Sequence, residues 1–299
     1  MNEARAVWRV NIPELLGLLD AGLDDLGIDE EGGVYVGDGV NGSVYRFRSG
    51  GEPDTAFDVI RPAARNDEEP GLNLAVAADS SFSVADPANE RVVRYDSLGR
   101  VTGEFSAPGL LNLCCVPGGD LYVLASDDDG ERIDRYDIIG SRIETLCAPR
   151  RYRAHLDPDL VDIDADRNGC AYLSYGMPPY RLWRMTRIEC AEDEAIEEQR
   201  ECRSEIEMWS RSLDHPEDAV LIGDIAFDPS GSVLWVLLAL RESGRQILDA
   251  FSHTGEFLGS TALPHSDNLY SGICAGADGT VYLLDGAAGD LVRVALPDL

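Results

Sequence analysis

The sequence predicts an all-β fold, a six-bladed β-propeller of four-stranded blades, and three observations carry that prediction. The first is the stretch Leu72–Phe105, LNLAVAADSSFSVADPANERVVRYDSLGRVTGEF. It reads as four short strands with turns rich in Asp, Ser, Gly, Pro and Asn, the signature of successive hairpins. The second is recurrence of its third strand. SVYRF ends at Phe47, RVVRY at Tyr95, RIDRY at Tyr136, RLWRM at Met185, QILDAF at Phe251 and LVRV at Val294. The third is recurrence of the first hairpin, an apolar strand, a polar turn with Gly and a second apolar strand. GIDEEGGVYV (Gly27–Val36), CVPGGDLYVL (Cys115–Leu124), DIDADRNGCAYL (Asp162–Leu173), IAFDPSGSVLWVL (Ile225–Leu237) and AGADGTVYLL (Ala275–Leu284) are its copies. The marks recur at roughly 40–50 residues, the period of propeller blades.

One four-stranded meander of this size cannot bury both of its faces, so it needs a copy on each side. Copies that fill the chain make a closed ring, which leaves no blade without a neighbour. The 299 residues therefore form one domain, although length alone would allow two.

Taken in order, AVWRV (Ala6–Val10) alternates like a strand but precedes the first complete blade. The last repeat ends after its third strand, Leu291–Ala295. The N-terminal strand is therefore expected to supply the missing fourth and close the ring. Pro13–Asp20 reads as a turn or short helical piece. Blade one covers Leu23–Ile60, blade two Leu72–Phe105 and blade three Leu110–Leu146, with the polar connection Arg61–Pro70 between the first two. Blade four begins near Leu160, blade five covers Ile222–Leu263, and blade six is Leu269–Ala295 with the N-terminal strand.

One interval, between Met185 and Phe251, is longer than the rest. Its insertion, Glu189–Pro216, contains AEDEAIEEQRECRSEIEMWSR (Ala191–Arg211), rich in good helix formers. Acidic residues crowd its start and Arg its later part, the order a helix dipole favours. The expectation is a helical excursion between blades four and five. It either covers one rim as a solvated helix or, through Met208 and Trp209, contacts a partner. Cys190 and Cys202 flank its acidic part and are a possible disulfide in an oxidising setting.

The repeat units LGIDEEGGVYVGDGVNGSVYRFRSGG and LAVAADSSFSVADPANERVVRYDSLG resemble those of the NHL-repeat propellers. The resemblance covers nearly the whole chain and implies six blades. It implies no single function, because related six-bladed propellers include lyases, calcium-dependent lactonases, RNA binders and scaffolds.

Charge narrows that range. The chain has 55 acidic against 25 basic residues, a formal net charge of −30, and every basic residue is Arg. Such a field repels phosphates and anionic lipid. The basic groove with interleaved aromatics that single-stranded nucleic acid requires is missing, so neither nucleic acid nor membrane is an expected partner. Excess Asp and Glu without Lys is also the composition of a halophilic protein; a GC-rich genome favouring Arg codons is the alternative. The N-terminus lacks the basic start and continuous apolar run of a signal peptide, and no apolar run reaches spanning length. The expected location is cytoplasmic or within an assembly. Seven Cys, an odd number without a secretion signal, point to reduced thiols packed as small hydrophobes.

The candidate constellations mostly follow the repeat. Asp162, Asp164, Asp166, Asn168 and Gly169 have the alternate oxygens of a calcium loop, but the twelfth position from Asp164 is Tyr175 rather than a closing Glu. The same place holds DEEGG, DPSGS and GADGT in other blades, so a turn is the preferred reading. Asp127–Glu131 is an acidic hairpin loop. Asp38, Asp86 and Asp285 recur after the second strand and read as turn residues accepting backbone N–H bonds, against the alternative of a carboxylate ring at one channel mouth. Arg46, Arg94, Arg135, Arg184 and Arg293 recur in register and are expected to pair with an Asp or a carbonyl. The four His (His155, His215, His253, His265) have no zinc spacing. The resemblance implies several His near the channel for a lyase, and a Glu, two Asn and an Asp for a lactonase. Asn112 and Asn268 lie near first strands, with no Glu in register. No catalytic residue, cofactor or metal is assigned on this basis. The expected function is a non-enzymatic scaffold for protein–protein interaction. A structural component of a larger particle, of phage-tail or contractile-injection type, and a metal-dependent lactonase- or lyase-like enzyme in the channel are the alternatives.

Overall fold

The computed structural model describes residues 2–62, 71–116, 118–127, 130–147, 161–166, 168–175, 181–185, 204–206, 220–228, 231–240, 243–265, 268–276 and 278–296. Among these, the strands form five four-stranded sheets and one five-stranded sheet, each mainly an antiparallel meander. The first sheet is Leu23–Ile28, Val34–Asp38, Ser43–Phe47 and Pro53–Asp58. The second is Leu74–Val76, Phe82–Asp86, Arg91–Tyr95 and Val101–Ser106. The third is Leu110–Cys115, Leu121–Asp127, Gly130–Tyr136 and Arg142–Cys147. The fourth begins with Val161–Ala165, Ala171–Tyr175 and Arg181–Met185. The fifth holds Val220–Phe227, Val233–Leu240, Gln246–Ser252 and Phe257–Ala262. The sixth holds Gly272–Ala275, Val281–Asp285 and Asp290–Ala295.

The first strand of each sheet lies beside the first strand of the next, and that of the sixth lies beside that of the first. The arrangement is a β-propeller. Its core is a set of apolar layers between neighbouring sheets. Tyr35, Val44, Phe57, Leu74, Phe82 and Tyr95 fill the layer between the first and second, where Phe82 stacks on Tyr95 at 4.9 Å. Leu26, Val36, Phe47, Tyr282, Leu284 and Leu291 fill the one between the sixth and first. The alternation that hides one face of an ordinary sheet is lost in the second strands, which are buried on both faces: VYVGD and FSVAD are buried throughout.

The N-terminal strand is where the sequence places it. Arg5–Asn11 pairs antiparallel with Asp290–Ala295, from Arg5 opposite Ala295 to Asn11 opposite Asp290, with a bulge between Ala6 and Trp8. A short helix follows, Ile12–Leu16, capped by the Asn11 side chain, which accepts the Glu14 N–H at 3.0 Å, and ended by Gly17 at φ 68°.

Two expectations need correction. The sheets are not uniformly four-stranded. Asn2–Glu3 adds to the outer edge of the fifth sheet, parallel to Phe257–Ala262, and covers part of an otherwise unpaired edge. Nor is the insertion Ala191–Arg211 a continuous helix, because Ser204–Ile206 is a strand. Leu182, Trp183 and Arg184 lie opposite Ile206, Glu205 and Ser204, which makes it the fourth strand of the fourth sheet. An open sheet edge with free backbone groups outweighs a helical propensity of a few tenths of a kcal/mol per residue. The rest of that helical reading, with Met208, Trp209, Cys190 and Cys202, lies outside the described residues. Cys114, Cys115 and Cys274 are free thiols. Among the described residues no helix is long and apolar enough to cross a membrane.

Candidate functional site: the central lumen

The site follows from one position that recurs at or beside each inner strand. One position recurs immediately before an apolar residue: Asp25 before Leu26, Asn73 before Leu74, Asn112 before Leu113, Asp162 before Ile163, Asp224 before Ile225 and Gly272 before Ile273. The residue that follows each of these faces the middle of its sheet's second strand, so the positions are equivalent.

The polar members reach across to the next sheet. Asp25 Oδ2 accepts the N–H of Leu74 at 2.6 Å, and the Asn73 amide donates to the Leu111 carbonyl at 2.8 Å. The Asn112 amide donates to Asp162 Oδ1 at 3.0 Å. Asp162 Oδ2 accepts from Ile225 at 3.0 Å and Asp224 Oδ2 from Ile273 at 2.6 Å. At Gly272 no side chain continues the belt. Two residues deeper, Asp164 Oδ2 accepts from Phe227 at 2.7 Å, a second rung on the seam between the fourth and fifth sheets. The other oxygen of Asp25, Asp162, Asp164 and Asp224 accepts the N–H of the following residue at 2.7–2.8 Å. These side chains are inter-sheet staples.

They also line a cavity of about 640 Å³ along the lumen. Eight acidic residues contribute to its wall, and no Arg or His does among the described residues. By area the lumen carboxylates are half-buried, since they face the opening, but protein surrounds them on every other side. Burial pushes the Asp25 carboxyl up to about 7; the bond from Leu74 opposes it and the Asp162 charge adds to it. Burial likewise lifts Asp164 to about 7 against the bonds from Phe227 and Ala165. Asp224 is raised well above the carboxylate range, by burial first and by the Asp162 charge next. Burial lifts the Cys115 thiol to about 12 and raises those of Cys114 and Cys274 as well, which makes them poor nucleophiles.

Among the described residues the lumen offers no ligand set for a channel metal. Its carboxylates are oriented by backbone N–H groups, and among the described residues no three His, Cys, Asp or Glu side chains converge on a point that would hold a cation. Of the four His, His253 and His265 are absent from the cavity wall, and His155 and His215 lie outside the described residues. Asn112 is in the lumen, whereas Asn268 is exposed away from it.

The other recurring residues do structural work. Asp38 is buried and accepts from Gly22 N, Asn41 N, the Asn41 amide and the Tyr45 hydroxyl. Asp86 takes the Asn89 amide and Arg91 Nε, and Asp285 takes Ala288 N. Asp166 accepts from Asn168 N and Cys170 N, so Asp162, Asp164 and Asp166 belong to two staples and a turn rather than to one calcium loop. Arg46 pairs with Asp29 at 2.7 Å, Arg135 with Asp120 at 2.7 Å and Arg293 with Asp278 at 3.3 Å, while Arg94 donates to the carbonyls of Asp137 and Ile138. The side chains of Arg184 and of Asp127–Glu131 are outside the described ones.

Asp25, Asn73 and Asp224 went unremarked in the sequence, being isolated polar residues each directly before an apolar one. The signal that finds them is a repeated Asp, Asn or Gly directly before Leu or Ile, in DLGI, NLAV, NLCC, DIDA, DIAF and GICA.

Neither a protein-family profile nor a curated protein matches this chain. Solved structures do resemble it in fold. A catalytically inactive virginiamycin B lyase from Staphylococcus aureus, crystallised with quinupristin, superposes with a TM-score of 0.60 at 14% identity, over 99% of this chain and 87% of that one. A streptogramin B lyase gives 0.55 at 13% identity over 91% and 78%. The hydrazine synthase of Kuenenia stuttgartiensis gives 0.56 at 12% identity over 92% and 96%. At such identities the likeness is one of fold. It is a likeness of β-propellers, which is the class this ring and its lumen define.

Proposed function

We propose that this protein is a non-enzymatic interaction scaffold built as a six-bladed propeller of NHL-like units. The observation that carries this reading is the use of the lumen carboxylates. Where a channel enzyme would free them for substrate or metal, Asp25, Asp162, Asp164 and Asp224 each bridge to a backbone N–H of the next sheet. A ring stapled at its axis is a rigid platform, and rigid platforms with variable connections suit recognition. The six-bladed count is supported by the succession of inner strands, each beside the next. The partner is a protein or a larger assembly, in the cytoplasm or within a particle, and the acidic surface keeps nucleic acid and anionic membrane away.

The partner contact is assigned to the insertion Glu189–Pro216, through Met208 and Trp209. Replacing both (Met208→Ala with Trp209→Ala) is expected to abolish recovery of a partner in affinity capture from the native host. Truncation of such an anchor costs about 2 kcal/mol or more of binding, a loss of roughly thirtyfold in affinity, while the melting temperature stays put. A large fall in melting temperature with partner recovery intact would place these side chains in the core and remove the assignment.

The net charge of −30 supports a halophilic setting. Debye screening tightens from about 10 Å at 0.1 M salt to about 3 Å at 1 M, which relieves self-repulsion in the compact state. The melting temperature is expected to climb steeply across that range in sodium or potassium chloride. A flat profile in both salts would remove halophilic adaptation from this reading.

A further inference from the structure

The seam between the fourth and fifth sheets holds an arrangement that the scaffold reading leaves unused. A single backbone donor, the N–H of Ile225, faces two carboxylates: Asp224 Oδ1 at 2.7 Å and Asp162 Oδ2 at 3.0 Å. Two acceptor oxygens that converge on one hydrogen sit close together, and two ionised carboxylates at that range repel strongly in a partly enclosed lumen. Among the described residues nothing basic relieves them. The groups facing the pair are Asp25 from the first sheet, Asn112 and Cys114 from the third, Asp164 from the fourth and Cys274 from the sixth. All are acidic, neutral or thiol.

The hydrogen bonds distinguish the two partners. Asp162 takes three donors: the Asn112 amide at 3.0 Å and Ile163 N–H at 2.8 Å on Oδ1, and Ile225 N–H on Oδ2. Donors favour the charged form of a carboxylate. Among the described residues Asp224 takes two, both from backbone, one of them shared. We propose that Asp224 keeps its proton at neutral pH and donates it to the Asp162 carboxylate beside it, and that this proton clamps the seam and sets the charge of the lumen. The Asp224 hydroxyl donates to Asp162, so the two sheets are joined by a carboxyl–carboxylate hydrogen bond in addition to the backbone staples. Carboxylates that share a site titrate as a pair in this way, with the second proton retained far above the ordinary range. The direction at Asp224 agrees, raised by burial and by the Asp162 charge.

The consequence for stability has a definite sign. The native pair keeps a proton that the unfolded chain releases near pH 4, so the folded state binds more protons across the neutral range. Stability therefore falls as pH rises, until the pair gives up its proton. The seam it clamps joins the fourth and fifth sheets, so alkaline loosening is expected there first.

Infrared difference spectroscopy on the intact protein tests this at about pH 8, where Asp25 and Asp164, raised to about 7, are each only about a tenth protonated. Wild type should show one protonated carboxyl, and Asp224→Asn and Asp162→Asn should each lose it. In parallel, at constant 1 M salt to suppress general self-repulsion, the wild-type melting temperature should fall between about pH 7 and about pH 9. Asp224→Asn, whose amide still donates to Asp162, should flatten that fall. Absence of a protonated carboxyl in the wild type at about pH 8 overturns the proposal, whether or not the variants fold. So does an Asp224→Asn protein whose pH slope equals that of the wild type.

Discussion

Removal of residues 2–11 is expected to abolish the folded monomer. That segment supplies the outer strand of the sixth sheet and the added edge strand of the fifth. Without it, Asp290–Ala295 loses its whole partner strand, and the fully buried Leu291, Val292 and Val294 lose cover at the one place where the chain closes on itself. Trp8, whose ring lies 5.9 Å from that of Tyr282, goes with it. Loss of a strand of this kind removes several ladder bonds and a continuous apolar edge. The cost is comparable to the whole stability of a domain, about 5–15 kcal/mol. The exposed edge then templates pairing between chains, so size exclusion should show aggregate instead of monomer. A shorter deletion, of residues 2–4, removes the two-residue parallel pair, the Ala4–Ala262 bond and the buried Ala4 methyl, and should lower the melting temperature by a few degrees. A chain lacking residues 2–11 that stays monomeric with an unchanged melting temperature would show that closure does not depend on this strand.

That strand was legible because two incomplete signals matched: an isolated AVWRV at one end and a repeat without its fourth strand at the other. Periodicity and turn chemistry carried most of the fold in the same way, since alternation, Asp-Gly turns and in-register Arg are local properties of the chain. Ser204–Ile206 was not legible. Its surroundings favour helix residue by residue, and the reason it is a strand lies in the open edge of Arg181–Met185, which no local pattern reports. Asn2–Glu3 escaped for a similar reason, being too short to show a period.

The lumen was half legible. Asp162, Asp164 and Asn112 drew attention as oxygen-bearing residues near first strands, but calcium-loop spacing is a property along the chain, whereas their actual partners, Ile225, Phe227 and the Asn112–Asp162 pair, lie across a seam. Asp224 and Asp25 became visible only when the equivalent positions of successive sheets were set side by side. A residue that staples neighbouring sheets is repeated by the fold, so repetition alone did not separate a mechanical role from a binding one.

Substitution of Asp29 by Ala is expected to cost about 3–5 kcal/mol, the loss typical of removing one partner from a buried ion pair. Asp29 is 2% exposed and joins four donors: Gly33 N at 2.7 Å, the Tyr35 hydroxyl at 3.2 Å, the Ser80 hydroxyl at 2.8 Å and Arg46 Nη2 at 2.7 Å. Ser80 belongs to the second sheet's first turn and holds a left-handed backbone, φ 68°, so the carboxylate ties a strained turn of one blade to the hairpin of its neighbour. The variant strands the Arg46 guanidinium, which keeps only the longer contacts to Glu31 and Asp54, and leaves Gly33 N–H without its side-chain acceptor. At about 2 °C per kcal/mol for a chain of this size, the melting temperature should drop by roughly 6–10 °C. Asp29→Asn keeps one acceptor oxygen for Gly33 and loses the charge, so its loss should be intermediate. Arg48→Ala provides the scale. It breaks an equally short contact, 2.8 Å to Asp54, but Arg48 is 71% exposed, and such pairs contribute about 0–1 kcal/mol. Equal melting temperatures for Asp29→Ala and Arg48→Ala would mean that the inter-blade network adds no more than a surface pair, and that the apolar layers alone hold the first two blades together.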